Sequence, residues 1–315
     1  MQLAFRATYS SKAYANMERM VSAIALVFLV QSPAAHKIRP WQHFTVEGIM
    51  VSAYEFMASA RKRQMSITKG WADILGFDGP VMLDSGGFQY LKGRELSYSP
   101  EELAAFAKET AVDYVLALDY PPRRNYGNFD LLSKKNFRNY LRMLRTVETI
   151  PVVHAPPKLA AREIKLLKRL KPPYVGVGGL VMPLRGAMKM TFETIDLVHR
   201  ELPECKTHLM GFAAPRIGFS YLSRAYSVDY GGWRNAAATG YVLTPAGYKK
   251  ISWRNKRGHA PRPDGPELDM IRSLCERLRI SVRSLRQEFA ARAIFSAYVA
   301  TQMLNGRLCA PKEAG

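Results

Sequence analysis

Short apolar runs recur along the chain, and each ends in a polar residue or glycine before a longer segment with helical periodicity begins. Such runs between turn signals are typical of strands buried on both faces. Eight strands are predicted, at Ile24–Val30, Ile49–Tyr54, Val81–Asp84, Tyr114–Asp119, Pro151–His154, Tyr174–Gly178, His208–Gly211 and Tyr226–Asp229.

Between the strands, apolar residues follow the three- and four-residue spacing of amphipathic helices. Ser99 precedes Pro100 and two glutamates, which supplies a capping side chain, a first-turn proline and acids at the positive end of the helix dipole. Helices are predicted at Pro100–Val112, Leu131–Val147, Leu159–Leu170 and Phe192–Glu201.

Strands that alternate with helices predict a parallel sheet covered on both faces. For a repeating part of about 250 residues, a closed (β/α)8 TIM barrel is the economical α/β arrangement. An open doubly wound sheet is the alternative, but no GxGxxG motif follows an early strand. We therefore expect residues 1–240 to form a barrel core.

The chain changes character after Tyr241, and residues 241–315 are expected to form a basic loop and C-terminal helices packed on the barrel. Lys249–Gly265 contains six lysines and arginines and one acid, with glycines and prolines in its second half, which predicts the loop. Pro266–Arg279 and Val282–Leu304 have the apolar periodicity of helices.

The amino-acid composition limits the classes to which the protein can belong. Hydrophobic residues make up 48% and charged residues 23%, as in a folded globular chain. The longest apolar run, Val21–Val30, is far shorter than the roughly 20 residues that a membrane span needs, and its flanks do not suit a signal peptide. Cys205, Cys275 and Cys309 lie far apart, so we expect no disulfide framework and no metal site. A cytoplasmic protein without a membrane segment is predicted.

Charge points to a polyanionic partner. Forty-six lysines and arginines against twenty-six acids give a net charge of +20. Such an excess attracts nucleic acid, although a basic protein of unrelated function is the alternative.

Candidate chemistry lies where the predicted strands end, because that rim carries the active site of a (β/α)8 barrel. Each residue there has a simpler explanation, since aspartates cap helices, glycines form turns and methionine fills cores. Their convergence predicts a polar pocket with three carboxylates and a histidine. The rim residues are Asp84, Asp119, His154, Gly178, Gly179, Met210, Gly211 and Asp229.

Three motifs occur in order: LDSGGFQ at Leu83–Gln89, VGVGGL at Val175–Leu180 and HLMG at His208–Gly211. In sequence and spacing they resemble the barrel motifs of the tRNA-guanine transglycosylase family, the queuine and archaeosine tRNA-ribosyltransferases. Asp229 begins DYGGWRNAAATG, which resembles the family's segment that starts with the nucleophilic aspartate. The resemblance covers most of the chain, from Ile24 to Gly240.

The resemblance implies roles for the three carboxylates. Asp229 would attack C1′ of a guanosine and form a covalent glycosyl-enzyme, because a carboxylate can trap an oxocarbenium-like transition state. Asp84 would be the general acid/base for the departing and incoming bases. Asp119 would accept from the N1/N2 edge of the purine. The other residues implied in the base pocket are Ser85, Phe88, His154, Gly178, Gly179, Leu180 and Met210, with Phe88 and Met210 on either side of a flipped base.

Two departures separate the chain from the family pattern. His154 stands where the tRNA enzymes usually have a pocket glutamine, so altered base recognition is expected. The family's zinc subdomain, a CxCxxC run with a distant histidine, is missing. That loss resembles the phage and bacterial branch that exchanges guanine for 7-deazaguanines in DNA, the DpdA type.

In that branch, basic runs would hold the phosphate backbone and Tyr126 or Trp233 would stack on displaced bases. For any single basic run, the alternative to nucleic-acid binding is a solvent-exposed surface with no partner. The expected nucleic-acid contacts are Arg61, Lys62, Arg63, Arg123, Arg124, Trp233, Arg234, Arg254, Lys256 and Arg257.

The sequence therefore predicts a zinc-free DNA-guanine transglycosylase that exchanges guanine for a free preQ0-like 7-deazaguanine by double displacement, without a cofactor. DNA and the free base are its expected partners, with a partner ATPase or helicase as a further one, in the host cytoplasm if a phage encodes it. The alternatives are a tRNA-guanine transglycosylase, a non-catalytic nucleic-acid-binding member of the family, and base excision without re-insertion. The presence of both Asp84 and Asp229 argues against a pure binder.

Overall fold

A computed structural model describes residues 26–31, 38–123, 128–179, 187–211, 225–252 and 261–308. It contains a strand at each of the eight predicted places, with ends displaced by a few residues. The largest change is in the fourth strand, which is regular over two residues and continues as a single bridge from Leu116 to Ile150. The strands are β1 Leu26–Gln31, β2 Gly48–Ser52, β3 Val81–Asp84, β4 Tyr114–Val115, β5 Val152–His154, β6 Tyr174–Gly178, β7 Lys206–Leu209 and β8 Ser227–Tyr230.

The eight strands form one parallel sheet in the order β4-β3-β2-β1-β8-β7-β6-β5. The two outer strands also meet each other. The Ala117 N–H donates to the Ile150 carbonyl at 2.9 Å, and the Ile150 N–H donates to the Val115 carbonyl at 2.8 Å. These bonds join the sheet's two ends, so the predicted (β/α)8 barrel is confirmed and the open doubly wound alternative is not.

Helices follow the strands and cover the outside of the sheet. Ser99 caps the helix Pro100–Glu109 (α4), as predicted, and forms a capping box with Glu102. A hairpin of β9 Tyr241–Thr244 and β10 Gly247–Lys250 precedes the C-terminal helices. The helices are α1 Ala53–Met57, α2 Ala60–Leu75, α3 Gly87–Leu91, α4 Pro100–Glu109, α5 Phe129–Leu144, α6 Pro157–Leu167, α7 Ala187–Glu201, α8 Gly232–Ala238, α9 Gly265–Arg277, α10 Val282–Gln287 and α11 Phe289–Leu304.

The C-terminal region differs from its prediction in two places. The single helix expected from Val282 to Leu304 is interrupted at Glu288, which is extended at φ −106° and ψ 133°. The buried Arg292 guanidinium donates to the Leu285 carbonyl at 3.3 Å, which satisfies a carbonyl that the break frees. In the predicted basic loop, Lys249 and Lys250 belong to β10, and residues 253–260 lie outside the described residues.

Two apolar layers follow from the alternation of side chains along the strands. Phe28 and Met82 belong to the cluster inside the barrel, whereas Val27 and Leu83 pack outward beneath the helices. No helix in the described part of the chain is long and apolar enough to cross a membrane.

Candidate active site

Candidate residues come to one rim because inward positions alternate along each strand. Met82 and Asp84 share the inward face of β3. Asp229 alternates on β8 with Val228, which packs outward, and His154 ends β5. The eight barrel strands are parallel, so these polar residues lie at the C-terminal end of the barrel.

Asp84 is partly buried, and its Oδ2 accepts from the Gly86 N–H at 3.2 Å. Burial raises the pKa of Asp84 to about 7, and the negative charges of Asp119 and Asp229 act in the same direction. The Gly86 amide and the Ser52 hydroxyl oppose this rise in pKa. A carboxyl group that titrates near neutrality can both donate and accept a proton at physiological pH.

Asp119 is 4% exposed and is held from two sides. The Ser85 hydroxyl donates to its Oδ1, and His154 Nε2 lies 2.8 Å from its Oδ2. The Tyr98 hydroxyl donates to the Ser85 carbonyl at 2.5 Å, which fixes the turn after β3. A Cβ on Gly87 would lie 2.9 Å from Asp119 Oδ2, so this turn approaches the carboxylate closely only because Gly87 has no side chain.

Asp229, at 5% exposure, accepts at Oδ1 from the Gly211 N–H at 2.7 Å. His208 Nε2 lies 3.4 Å from the same oxygen. Behind it, His208 Nδ1 lies 2.6 Å from Ser227 Oγ, which also bonds the Tyr174 hydroxyl. The hydrogen bonds of this buried chain run from Tyr174 to His208, and His208 Nε2, which has no hydrogen-bond partner among the described residues, ends it beside the Asp229 carboxylate.

Two glycines at the end of β6 let the backbone lie close to its neighbours, including His154. A Cβ on Gly178 would lie 3.3 Å from His154 Cδ2 and 3.5 Å from Met210 Sδ. Gly179 has a φ of 73°, in the left-handed region that favours glycine. Leu180 lies outside the described residues.

Three pairs of a cation above an aromatic ring lie on the segments that follow β3 and β4 and on α5. Phe88 is 49% exposed, and the rings of Tyr90 and Tyr120 meet edge to face at 5.0 Å. Cations and rings of this kind bind phosphates and bases, respectively. The pairs, with distances to the ring centroid, are Lys92 over Phe88 at 4.4 Å, Arg123 over Tyr90 at 3.9 Å and Lys135 over Tyr120 at 3.4 Å.

The remaining candidates for nucleic-acid binding are more dispersed. Arg61 and Lys62 are exposed at the start of α2, and Arg63 is half-buried. Five others, Arg124, Tyr126, Arg254, Lys256 and Arg257, lie outside the described residues.

The prediction that Trp233 stacks on a displaced base is wrong. Its side chain is 0% exposed and belongs to the core beneath the helices. Trp233, Ala236 and Ala237 form the buried face of α8, so the helical period turns the indole inward. Arg234 is half-buried, with its guanidinium 5.9 Å from the Trp233 ring centroid.

Two buried residues of the site are absent from the sequence-based prediction. Glu163 lies on the apolar face of α6 with Ile164 and Leu167, and its side chain contacts His154. An acid at a core position of an amphipathic helix is the signal that could have revealed it. His208 lies within a recognised motif, but its contact with Asp229 depends on the pairing of β7 with β8.

Among the described residues, no three His, Cys, Asp or Glu side chains come together as metal ligands would. The site thus lies at the C-terminal end of a parallel barrel and has four carboxylates and two buried imidazoles, with cations and rings on the segments after β3 and β4.

The chain is similar in part to archaeal proteins named tRNA-guanine(15) transglycosylase. It is 31% identical to that of Methanosarcina mazei over 97 residues, which cover 30% of this chain and 20% of the relative. It is 26% identical to that of Haloarcula marismortui over 151 residues, 48% of this chain and 31% of the relative. The Methanopyrus kandleri protein is 33% identical over 75 residues, 24% of this chain and 16% of the relative.

These matches span less than a third of each relative's length. No protein-family model matches the chain. The similarity therefore relates part of the chain to guanine transglycosylases.

Proposed function

We propose that this protein is a guanine transglycosylase, a pentosyltransferase that exchanges guanine in a nucleic acid for a free 7-deazaguanine base. The observation that carries the proposal is the pairing of two carboxylates of different character at one rim. Asp229 is fixed by a backbone N–H, whereas the pKa of Asp84 is raised to about 7 by burial and by its acidic neighbours. The partial similarity to tRNA-guanine(15) transglycosylases supports it.

In the proposed first step, an Asp229 oxygen bonds to C1′ while the glycosidic bond to guanine breaks. The departing base takes the bonding electron pair and a proton from Asp84. In the second step, Asp84 removes a proton from the incoming base, whose nitrogen bonds to C1′ and releases Asp229. A titrating carboxyl group suits this alternation because it acts as acid in one step and as base in the next.

Base recognition is assigned to Asp119. Guanine and 7-deazaguanine both present adjacent N1–H and N2–H donors, and an ionised carboxylate is an acceptor only. Ser85 and His154 orient the Asp119 carboxylate from behind. Gly178 and Gly179 allow the end of β6 to lie close to His154 and Ala155, and the exposed Phe88 is assigned to stacking on the flipped base, with Met210 opposite.

The nucleic acid is assigned to the mouth of the pocket. Arg123 and Lys135 would contact phosphates there, and the rings beneath them would contact unstacked bases. Arg61 and Lys62 extend the basic surface at the start of α2. DNA is the acceptor that we favour, because residues Asp229–Gly315 contain no CxCxxC run of the kind that the resemblance to the tRNA enzymes implies. tRNA is the alternative, favoured by the names of the relatives.

The test is incorporation of a radiolabelled 7-deazaguanine by the purified protein, with DNA and total tRNA in parallel reactions. Label in DNA is the expected result, and label in tRNA alone would keep the chemistry but overturn the acceptor. Asp229→Ala should abolish incorporation, whereas Asp78→Ala, an exposed aspartate before β3, should not affect it. Incorporation by Asp229→Ala would overturn the nucleophile, and label in neither acceptor would overturn the proposal.

A further inference from the structure

Three buried residues form a line of charged groups behind the pocket. Glu163 Oε1 lies 3.0 Å from His154 Nδ1, and His154 Nε2 lies 2.8 Å from Asp119 Oδ2. Glu163, His154 and Asp119 are 3%, 0% and 4% exposed, respectively. Both ring nitrogens of His154 are therefore occupied by carboxylate oxygens, and neither is available to a substrate.

The geometry fits a doubly protonated His154. An ionised carboxylate only accepts hydrogen bonds, and a neutral imidazole donates from one nitrogen. A neutral ring between two carboxylates would set one nitrogen lone pair against an oxygen lone pair. In a buried site that repulsion is poorly screened, so an imidazolium that donates to both partners is favoured.

We propose that Glu163 and His154 are positioning residues for base recognition: Glu163 keeps His154 as an imidazolium, and the imidazolium holds Asp119 as an aligned, ionised carboxylate. The inference rests on the proposed function, since it takes Asp119 as the acceptor for the purine edge. His154 thus acts through Asp119 instead of contacting the base with its ring nitrogens.

Further hydrogen bonds hold Glu163 in place. Its Oε2 accepts from the backbone N–H of His154 at 2.7 Å, and its Oε1 accepts from Asn136 Nδ2 at 3.1 Å. Asn136 Oδ1 accepts in turn from the Tyr120 N–H at 2.9 Å, one residue beyond Asp119. The network therefore joins α5, α6 and the segment after β4, and it offers the Glu163 carboxylate only donors.

The surrounding charges favour the same protonation state. Burial by itself lowers the pKa of His154, but Glu163 from α6 and Asp119 from the segment after β4 outweigh it and raise that pKa to about 10. Asp84 is the next charge across the pocket and is coupled to Asp119. A glutamine at position 154 would supply one donor to Asp119 but no charge, and would leave the Glu163 carboxylate without a cationic partner.

The first test observes the ring itself and needs no substrate. Protein labelled with ¹⁵N-histidine would be titrated by NMR, with His154→Gln identifying the His154 signals. We expect both ring nitrogens of His154 to be protonated at pH 8, and Glu163→Gln to lower the midpoint of their titration by about one pH unit or more. A neutral His154 at pH 8, or a midpoint unchanged in Glu163→Gln, would overturn the inference.

The second test measures binding of 7-deazaguanine by calorimetry between pH 7 and 8.5. Glu163→Gln should weaken binding about tenfold, with a loss that grows as pH rises, because a neutral donor supports Asp119 less than a charged one. Glu109→Gln, an exposed glutamate at the end of α4, is the matched control and should bind as the wild type does.

A double variant separates charge from packing. His154→Gln combined with Glu163→Gln keeps hydrogen-bond donors and side-chain volume at these positions but removes both charges. The double variant can therefore replace the single variant in the binding test if the single variant fails to fold. Wild-type affinity in the folded double variant would show a merely structural role and refute the inference, whereas persistent weak binding supports it. Absence of base binding by the wild type would contradict the proposed function instead. The NMR titration tests the protonation state of His154 independently of base binding.

Discussion

Replacing Asp84 by asparagine should change how the stability of the protein depends on pH. The ordinary pKa of this carboxyl group is 3.8, and burial together with Asp119 and Asp229 raises it to about 7 in the folded chain. Between these values the folded chain keeps a proton that the unfolded chain has released. The free energy of unfolding therefore falls as pH rises across this range.

The size of the effect follows from the shift in pKa. A difference of about 3 pH units at about 1.4 kcal/mol per unit gives about 4 kcal/mol. The stabilisation from protonated Asp84 is complete below pH 3.8 and is lost as pH rises through about 7. Asparagine has nearly the same volume and retains an acceptor for the Gly86 N–H, but it does not titrate.

The assay is urea unfolding of the wild type and Asp84→Asn at intervals from pH 4 to pH 8. The stability of the variant relative to the wild type should rise by about 4 kcal/mol over this range, with the variant the more stable at pH 8. Asp78→Asn, an exposed aspartate before the same strand, controls for the change of charge. Parallel stability curves for wild type and Asp84→Asn would refute the reasoning.

Other substitutions test the packing around the site and the fold. Gly87→Ala should reduce base exchange about a hundredfold in a folded protein, because the new Cβ displaces Asp119, whereas Gly265→Ala, which meets open space, should leave exchange unchanged. Arg292→Met should lower the free energy of unfolding by about 3 kcal/mol in urea, since three backbone carbonyls lose their donor. Ser99→Ala should cost about 1 kcal/mol in the same assay by removing the cap of α4, and no loss would show that the capping box is dispensable.

The barrel could be predicted because its strands are buried on both faces and therefore occur in the sequence as apolar runs. The same pattern located Asp84 at the end of β3, since the run stops where the polar residue begins. Trp233 was misplaced because a motif gives its position in the chain but not the direction it faces on α8. The break at Glu288 has no glycine or proline to signal it, and the donor to the freed Leu285 carbonyl is Arg292, on the next helix.

The sequence could not show which residues on different helices and strands contact each other. Glu163 and His154 lie nine positions apart, on a helix and on the strand before it. Only the way α6 packs on β5 turns the carboxylate toward the ring. A buried acid on an apolar helical face indicates that some partner exists, but the sequence does not identify which one.

The acidic pocket within a chain of net charge +20 has an electrostatic consequence. Under the proposed function, the basic outer surface would attract the phosphates of a nucleic acid, while the carboxylates of Asp84, Asp119 and Asp229 would repel them from the barrel interior. A neutral heterocycle is not subject to that repulsion. Under the proposed function, this arrangement would keep the charged backbone outside the barrel and admit the uncharged base.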